Sequence, residues 1–167
     1  MIQRKVCLLG AYAAGKTSLI RRFVDSMFDD RYLTTVGVRV DKKVLSTPHG
    51  EMTLMIWDLA GEDDSTPVDL RRCRGSSGLV LVADGCRAHT LDTAVRLGSD
   101  ASKVAGEVPR ILMINKADLK DEWEVTAGRI DGLRRTGWTL YLTSAKSGEN
   151  VEEAFASLAA SMGPANV

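Results

Sequence analysis

The chain is poor in the residues that build metal clusters, disulfide frameworks and membrane anchors. It has three cysteines, Cys7, Cys73 and Cys86, with no CxxC pair, and two histidines, His49 and His89. So few ligands argue against a Cys/His zinc site and a disulfide scaffold, and point to three reduced thiols in a cytoplasmic protein. No apolar run approaches the roughly eighteen residues of a membrane span. The apolar stretch Val6–Leu9 is too short for a secretory signal core. Ile2 stands where N-myristoylation needs glycine, and the tail MGPANV holds no cysteine to prenylate. No intrinsic membrane anchor is therefore expected. Net charge is lacking too: 22 lysines and arginines balance 22 aspartates and glutamates. That balance gives no support to a general nucleic-acid or membrane-surface binder. With no linker, low-complexity tract or internal repeat, the 167 residues read as one domain, 1–167.

What is present is ordinary globular composition, 44% hydrophobic and 26% charged. A chain of this size buries roughly 70% of its unfolded surface and needs no covalent staple. Apolar runs predict strands at Lys5–Leu9, Val36–Leu45, Met52–Trp57, Gly78–Ala83, Arg110–Ile114 and Thr139–Leu142. Runs such as LVLVA and ILMI are apolar throughout, as in parallel strands covered on both faces. The turn residues Thr47-Pro48-His49-Gly50 join two consecutive strands into an antiparallel hairpin. Helices are predicted at Lys16–Asp25, Leu91–Ala105, Glu122–Arg135 and Val151–Met162. This alternation specifies a mostly parallel α/β sheet. Residues 26–35 and 59–75 are polar connections too long for plain turns, and loops of that length are usually functional.

Residues 10–17, GAYAAGKT, match G-x-x-x-x-G-K-[ST] between a strand and a helix. Gly10 and Gly15 allow tight turning and close backbone approach to phosphate oxygens. Lys16 supplies an ammonium for the β- and γ-phosphates, the Thr17 hydroxyl is a hard ligand for Mg2+, and the helix start adds its positive end. Asp58 ends the strand MTLMIWD, where a carboxylate can hold Mg2+ through water. Gly61 lets a backbone N–H approach the terminal phosphate. In the first long loop either Thr34 or Thr35 can offer a hydroxyl to the metal while the γ-phosphate holds the loop inward. Spacing does not choose between them. Asn115-Lys116-Ala117-Asp118 directly follows a strand. The Asp118 carboxylate can accept guanine N1–H and the 2-amino group, neither of which adenine offers. Asn115 ties neighbouring loops, the Lys116 stem lies over the purine, and in Thr143-Ser144-Ala145-Lys146 the Ala145 N–H can meet guanine O6.

These motifs, from GAYAAGKT through TTVGV, WDLAG and NKAD to TSAK, resemble the Ras superfamily of small GTPases, its Rab-like branch most closely. The resemblance implies a P-loop NTPase fold with a six-stranded sheet and about five helices, and GDP/GTP binding with Mg2+. It implies nucleotide contacts from Ala13, Ala14, Gly15, Lys16, Thr17, Ser18, Phe28, Thr35, Gly61, Asn115, Lys116, Asp118, Ser144, Ala145 and Lys146. The metal would be held by Thr17, Thr35 and Asp58, with Thr35 now chosen over Thr34 because it precedes an aliphatic residue and glycine. Arg74-Gly75 resembles the end of the second switch in Rab-like members. Effectors, exchange factors and activating proteins would bind through residues 26–39 and 59–75.

Three departures bear on function. Glu62 stands where relatives carry the glutamine that orients water, so among the catalytic candidates Lys16, Gly61 and Glu62 the last is a poor substitute, and slow intrinsic hydrolysis is expected. Tyr12 and Ala13 stand where relatives carry small residues, and Tyr12 either obstructs a partner's arginine or else faces solvent or packs on the second switch. Arg71 or Arg72 could supply a charge in cis, but the pair reads first as a solvated cluster. The lipidated C-terminal cysteine of Rab and Ras proteins is absent, which suggests a soluble prokaryotic-type member. Two functions follow: a switch that hydrolyses GTP, or a nucleotide-loaded interaction module with negligible turnover. A small-molecule P-loop kinase is disfavoured by NKAD and by the lack of a lid-like basic insertion.

Overall fold

The computed structural model describes residues 2–24, 32–33, 38–62 and 67–164. Its sheet runs in the order β2-β3-β4-β1-β5-β6-β7. The strands are β1 (Ile2–Gly10), β2 (Tyr32–Leu33), β3 (Arg39–Thr47), β4 (Gly50–Asp58), β5 (Gly78–Asp84), β6 (Arg110–Asn115) and β7 (Thr139–Leu142). β1 pairs in parallel with β4 and β5, and β6 pairs in parallel with β5 and β7. The expected hairpin is β3–β4, closed by Thr47↔Gly50, and the two-residue β2 extends that antiparallel edge. The six expected strands are thus present in a mostly parallel sheet of the P-loop type.

Four α-helices accompany the sheet: α1 (Lys16–Val24), α2 (His89–Ala105), α3 (Ala127–Arg135) and α4 (Val151–Ser161). Two 3-10 segments, Leu70–Cys73 and Lys120–Glu122, complete the helical part among the described residues. Alternation along β1 divides the core. Val6 and Leu8 join the cluster of Leu19, Phe23 and Phe155 under α1 and α4, while Cys7 and Leu9 join Leu81, Leu91 and Leu97 under α2. The Phe23 and Phe155 rings stack with centroids 4.1 Å apart, joining α1 to α4.

The third helix starts later than its pattern predicts. Glu124 and Val125 donate their N–H groups to the Gly85 carbonyl at 2.8 and 3.2 Å. The Glu124 carboxylate accepts from Ala88 N at 2.8 Å. A Cβ at Gly85 would fall 2.0 Å from the Trp123 ring, so the indole lies directly on that backbone. Residues 123–125 are therefore spent on tethering β5 and α2, and helix begins only after Thr126, whose side chain caps Arg129 N.

Beneath the 3-10 segment Leu70–Cys73, the Cys7 and Cys73 thiols are both fully buried and unoxidised. Hydrogen bonding from Cys73 brings the Cys7 thiol down to about 7; burial opposes the shift, and Ser76 and the Lys5 charge assist it.

Candidate functional site

The phosphate-loop residues lie at the carboxyl end of β1, where the chain passes first to one side of the sheet and later to the other. Ala13 and Gly15 have φ of 59° and 99°, both left-handed. Such turns aim successive N–H groups into one concavity, and α1 opens at Lys16 with first-turn N–H groups that no helical carbonyl can take. Gly15 is required twice over, by its φ and by space: a Cβ there would sit 2.3 Å from Asn115 Nδ2. Gly10 has a reason that its motif does not show. A Cβ at that position would lie 2.4 Å from the Val82 carbonyl oxygen of the adjacent strand.

Lys16 is 7% exposed. Burial pushes its ammonium pKa down, and the Asp58 charge opposes that shift. A buried ammonium is stabilised by an anion placed beside it. Thr17 Oγ1 donates to Asp58 Oδ2 at 2.6 Å, so the two metal candidates converge from the start of α1 and the end of β4. Hydroxyl and carboxylate oxygens are hard donors that suit Mg2+. Among the described residues no group of three His, Cys, Asp or Glu side chains converges. Gly61 presses on the loop itself, since a Cβ would lie 2.7 Å from Tyr12 Cα and 3.0 Å from Lys16 Nζ.

Asn115 is buried and holds three segments together. Its Nδ2 donates to the Ala14 carbonyl at 3.3 Å, and its Oδ1 accepts from Thr143 Oγ1 at 3.3 Å and Ala145 N at 3.2 Å. The tie expected of this residue is present, and the Ala145 N–H meant for the base is engaged with it. Asp118 is exposed at the rim, where its Oδ1 accepts from Ser144 Oγ at 2.7 Å. A cleft of about 380 Å³ opens between Gly15, Ser18, Lys116, Asp118, Ala145 and Lys146. A second, of about 470 Å³, lies over Ala13, Lys16, Thr17 and Gly61. Gly15, Ser18 and Lys116 line both, so the two clefts join into one trough.

Residues 5–163 match the model of the Ras family. The chain belongs to the Ras family. Rab-7L1 of Rattus norvegicus is 37% identical over 160 residues, covering 90% of this chain and 77% of the relative. Rab-13 of Bos taurus is 32% identical over 157 residues, covering 93% and 77%. Rab-4 of Dictyostelium discoideum is 33% identical over 153 residues, covering 90% and 75%. These relatives place it on the Rab-like side of the family, whose members are small GTPases that bind GDP and GTP with Mg2+ and engage effectors, exchange factors and activating proteins. No helix among the described residues is long and apolar enough to cross a membrane.

Within this Ras-family framework two expected ligands, Phe28 and Thr35, lie outside the described residues, as does much of the first loop. Tyr12 is 66% exposed, in keeping with the solvent-facing alternative. Arg71 forms a surface pair with Asp69 at 2.9 Å, a solvated arrangement as expected. One group escaped the motifs. Asp84, 1% exposed at the end of β5, accepts from Lys116 Nζ at 2.8 Å, Arg87 Nε at 2.9 Å and Cys86 N at 2.9 Å. Arg87 then donates to the Tyr12 carbonyl at 2.8 Å. Burial raises the Asp84 pKa, but Lys116, Arg87 and the Cys86 N–H together hold it below the usual carboxylate value. The only signal in the sequence is an acidic residue closing an otherwise apolar strand.

Proposed function

We propose that this chain is a cytoplasmic GTP-binding switch that takes GDP or GTP with Mg2+ and hydrolyses GTP slowly. The observation that carries this reading is the Thr17–Asp58 contact at 2.6 Å beside the buried Lys16, with Asn115 tying the phosphate loop to the base side. Residues 13–18 would cradle the phosphates, Asp118 would read the guanine edge, joined by the Ala145 N–H only once it leaves Asn115 Oδ1, and Lys116 would lie between the two halves. Thr17 and Asp58, with Thr35, would hold the metal, which when bound neutralises charge on the β- and γ-oxygens. Water attacks the γ-phosphate in line, while Lys16 and the loop N–H groups stabilise the developing charge. Loss of the γ-phosphate releases the loops around Thr35 and Gly61, so partners meeting residues 26–39 and 59–75 bind the two states unequally.

Chromatography of the nucleotide released on denaturing the purified protein tests this directly. Bound GDP supports a working switch. Bound GTP, undiminished after added Mg2+, supports a nucleotide-loaded interaction module instead, a reading favoured by the engagement of the Glu62 carboxylate with Arg96. Recovery of ATP overturns the base assignment.

Glu62 is also the feature behind slow turnover. Its carboxylate has no N–H to donate and, held against Arg96, does not orient the attacking water as an amide would. Glu62→Gln restores a neutral amide and is expected to raise single-turnover hydrolysis at least about tenfold. A variant slower than the parent protein rejects this explanation.

A further inference from the structure

Glu62 follows Gly61 in a segment pinned to the phosphate loop on both sides. Its N–H donates to the Gly10 carbonyl at 2.9 Å, and its carbonyl accepts from Tyr12 N at 2.8 Å, forming a parallel bridge with Ala11. With the backbone held twice, only the side chain is free to choose a direction. The side chain lies toward α2. Its carboxylate, 14% exposed, is ion-paired with the guanidinium of Arg96 on α2. Arg96 is itself kept in place by Asp100 one turn later, at 3.8 Å.

This arrangement answers a difficulty that Glu62 creates. Gly61 lines the cleft over Lys16 and Thr17, so a carboxylate on the next residue, were it turned inward, would meet a terminal phosphate bound there, and the two anions would repel. Repulsion would fall on the triphosphate far more than on the diphosphate, which lacks the terminal group. A chain so built would favour GDP in every state unless the carboxylate were turned away. A neutral partner on α2 would not hold it, because hydrogen bonds to a carboxylate are strongest from a charged donor.

We propose that Arg96 is a positioning residue that sets nucleotide selectivity: by holding the Glu62 carboxylate against α2, it permits GTP to occupy the site at all. This rests on the reading of the trough as a guanine nucleotide site. The pair works as a latch on charge, distinct from the ligands themselves, since Arg96 is 52% exposed and lines neither half of the trough.

The test is a double-mutant cycle on the full chain. Affinities for GDP and for a non-hydrolysable GTP analogue, each with Mg2+, are measured by calorimetry for the parent protein, Arg96→Ala, Arg96→Lys, Glu62→Gln and Arg96→Ala/Glu62→Gln. Arg96→Ala is expected to lower the analogue-to-GDP affinity ratio about tenfold or more, within the usual range of site-to-site coupling. Arg96→Lys should restore part of the ratio. In the Glu62→Gln background the same Arg96→Ala change should leave the ratio unmoved, because no charge remains to restrain. An unchanged ratio in Arg96→Ala, an equal loss for both nucleotides, or a loss that persists in the Glu62→Gln background each overturns the proposal. A parent protein that binds neither nucleotide instead overturns the underlying site reading, so the two failures are told apart.

Discussion

Replacing Asp118 by alanine is expected to abolish the distinction between guanine and adenine nucleotides. Asp118 lines the rim of the cleft, and its Oδ1 accepts from Ser144 Oγ at 2.7 Å. A guanine edge presents two N–H donors to such a carboxylate, whereas adenine presents neither. The carboxylate is exposed and hydrated until a base covers it. A base that covers it without donating hydrogen bonds strands a desolvated charge, the condition under which polar sites reject a mismatched ligand by about 10⁴–10⁵-fold. Alanine removes both the reward and the penalty. Calorimetric titration with GDP and ADP should show GDP affinity falling and the ratio between them collapsing to within about tenfold. Undiminished preference for GDP would show that the base is read elsewhere. Ser144→Ala, which frees the carboxylate without removing it, should lose far less.

Asp84→Ala is expected to cost about 2–3 kcal/mol of folding stability at neutral pH, measured by urea unfolding. The figure sits below the range for fully buried pairs because Lys116 and Arg87 are each about a third exposed and can turn partly to water. Removing the carboxylate leaves two cations side by side and the Cys86 N–H without its acceptor. Both cations also touch the nucleotide trough or its loop, so GDP affinity should fall with stability. The pH dependence has a definite sign. The folded-state pKa of Asp84 is lower than the unfolded value of 3.8, so its contribution is fully present above 3.8 and disappears as pH falls through the folded value. The stability gap between parent and Asp84→Asn should accordingly close in strong acid. A gap that is constant across that range would mean that the carboxylate's charge contributes nothing.

Much of the architecture was legible from local pattern. Val80–Ala83 and Ile111–Ile114 are apolar at every position because helices cover both faces, and that alone specifies parallel strands. The phosphate loop was legible because glycine, lysine and threonine at fixed spacing carry their own geometric reason. Other features depended on contacts between distant segments. Helical periodicity begins at Glu122, but the Gly85 carbonyl claims the N–H groups of Glu124 and Val125, and no local signal reveals a bond across 39 residues to Glu124. The Asp84 cluster draws on β5, the turn after it and the NKAD loop, so it exists only once β5 and β6 are paired with Asp84 opposite Asn115. Ala13 illustrates a third case: its left-handed φ reads as a glycine position, and alanine there gives no warning.

Trp57 sits on β4 with the Lys5 ammonium 3.9 Å from its ring centre, and that same ammonium donates to the carbonyls of Arg72 at 2.6 Å and Arg74 at 3.0 Å. The other two indoles are elsewhere, Trp123 over Gly85 and Trp138 beneath the Arg110 guanidinium. Displacement of the 70–74 segment breaks the carbonyl contacts that help fix this cation over one particular indole. The emission of Trp57 is therefore expected to report movement of that segment without a dye or a labelled nucleotide.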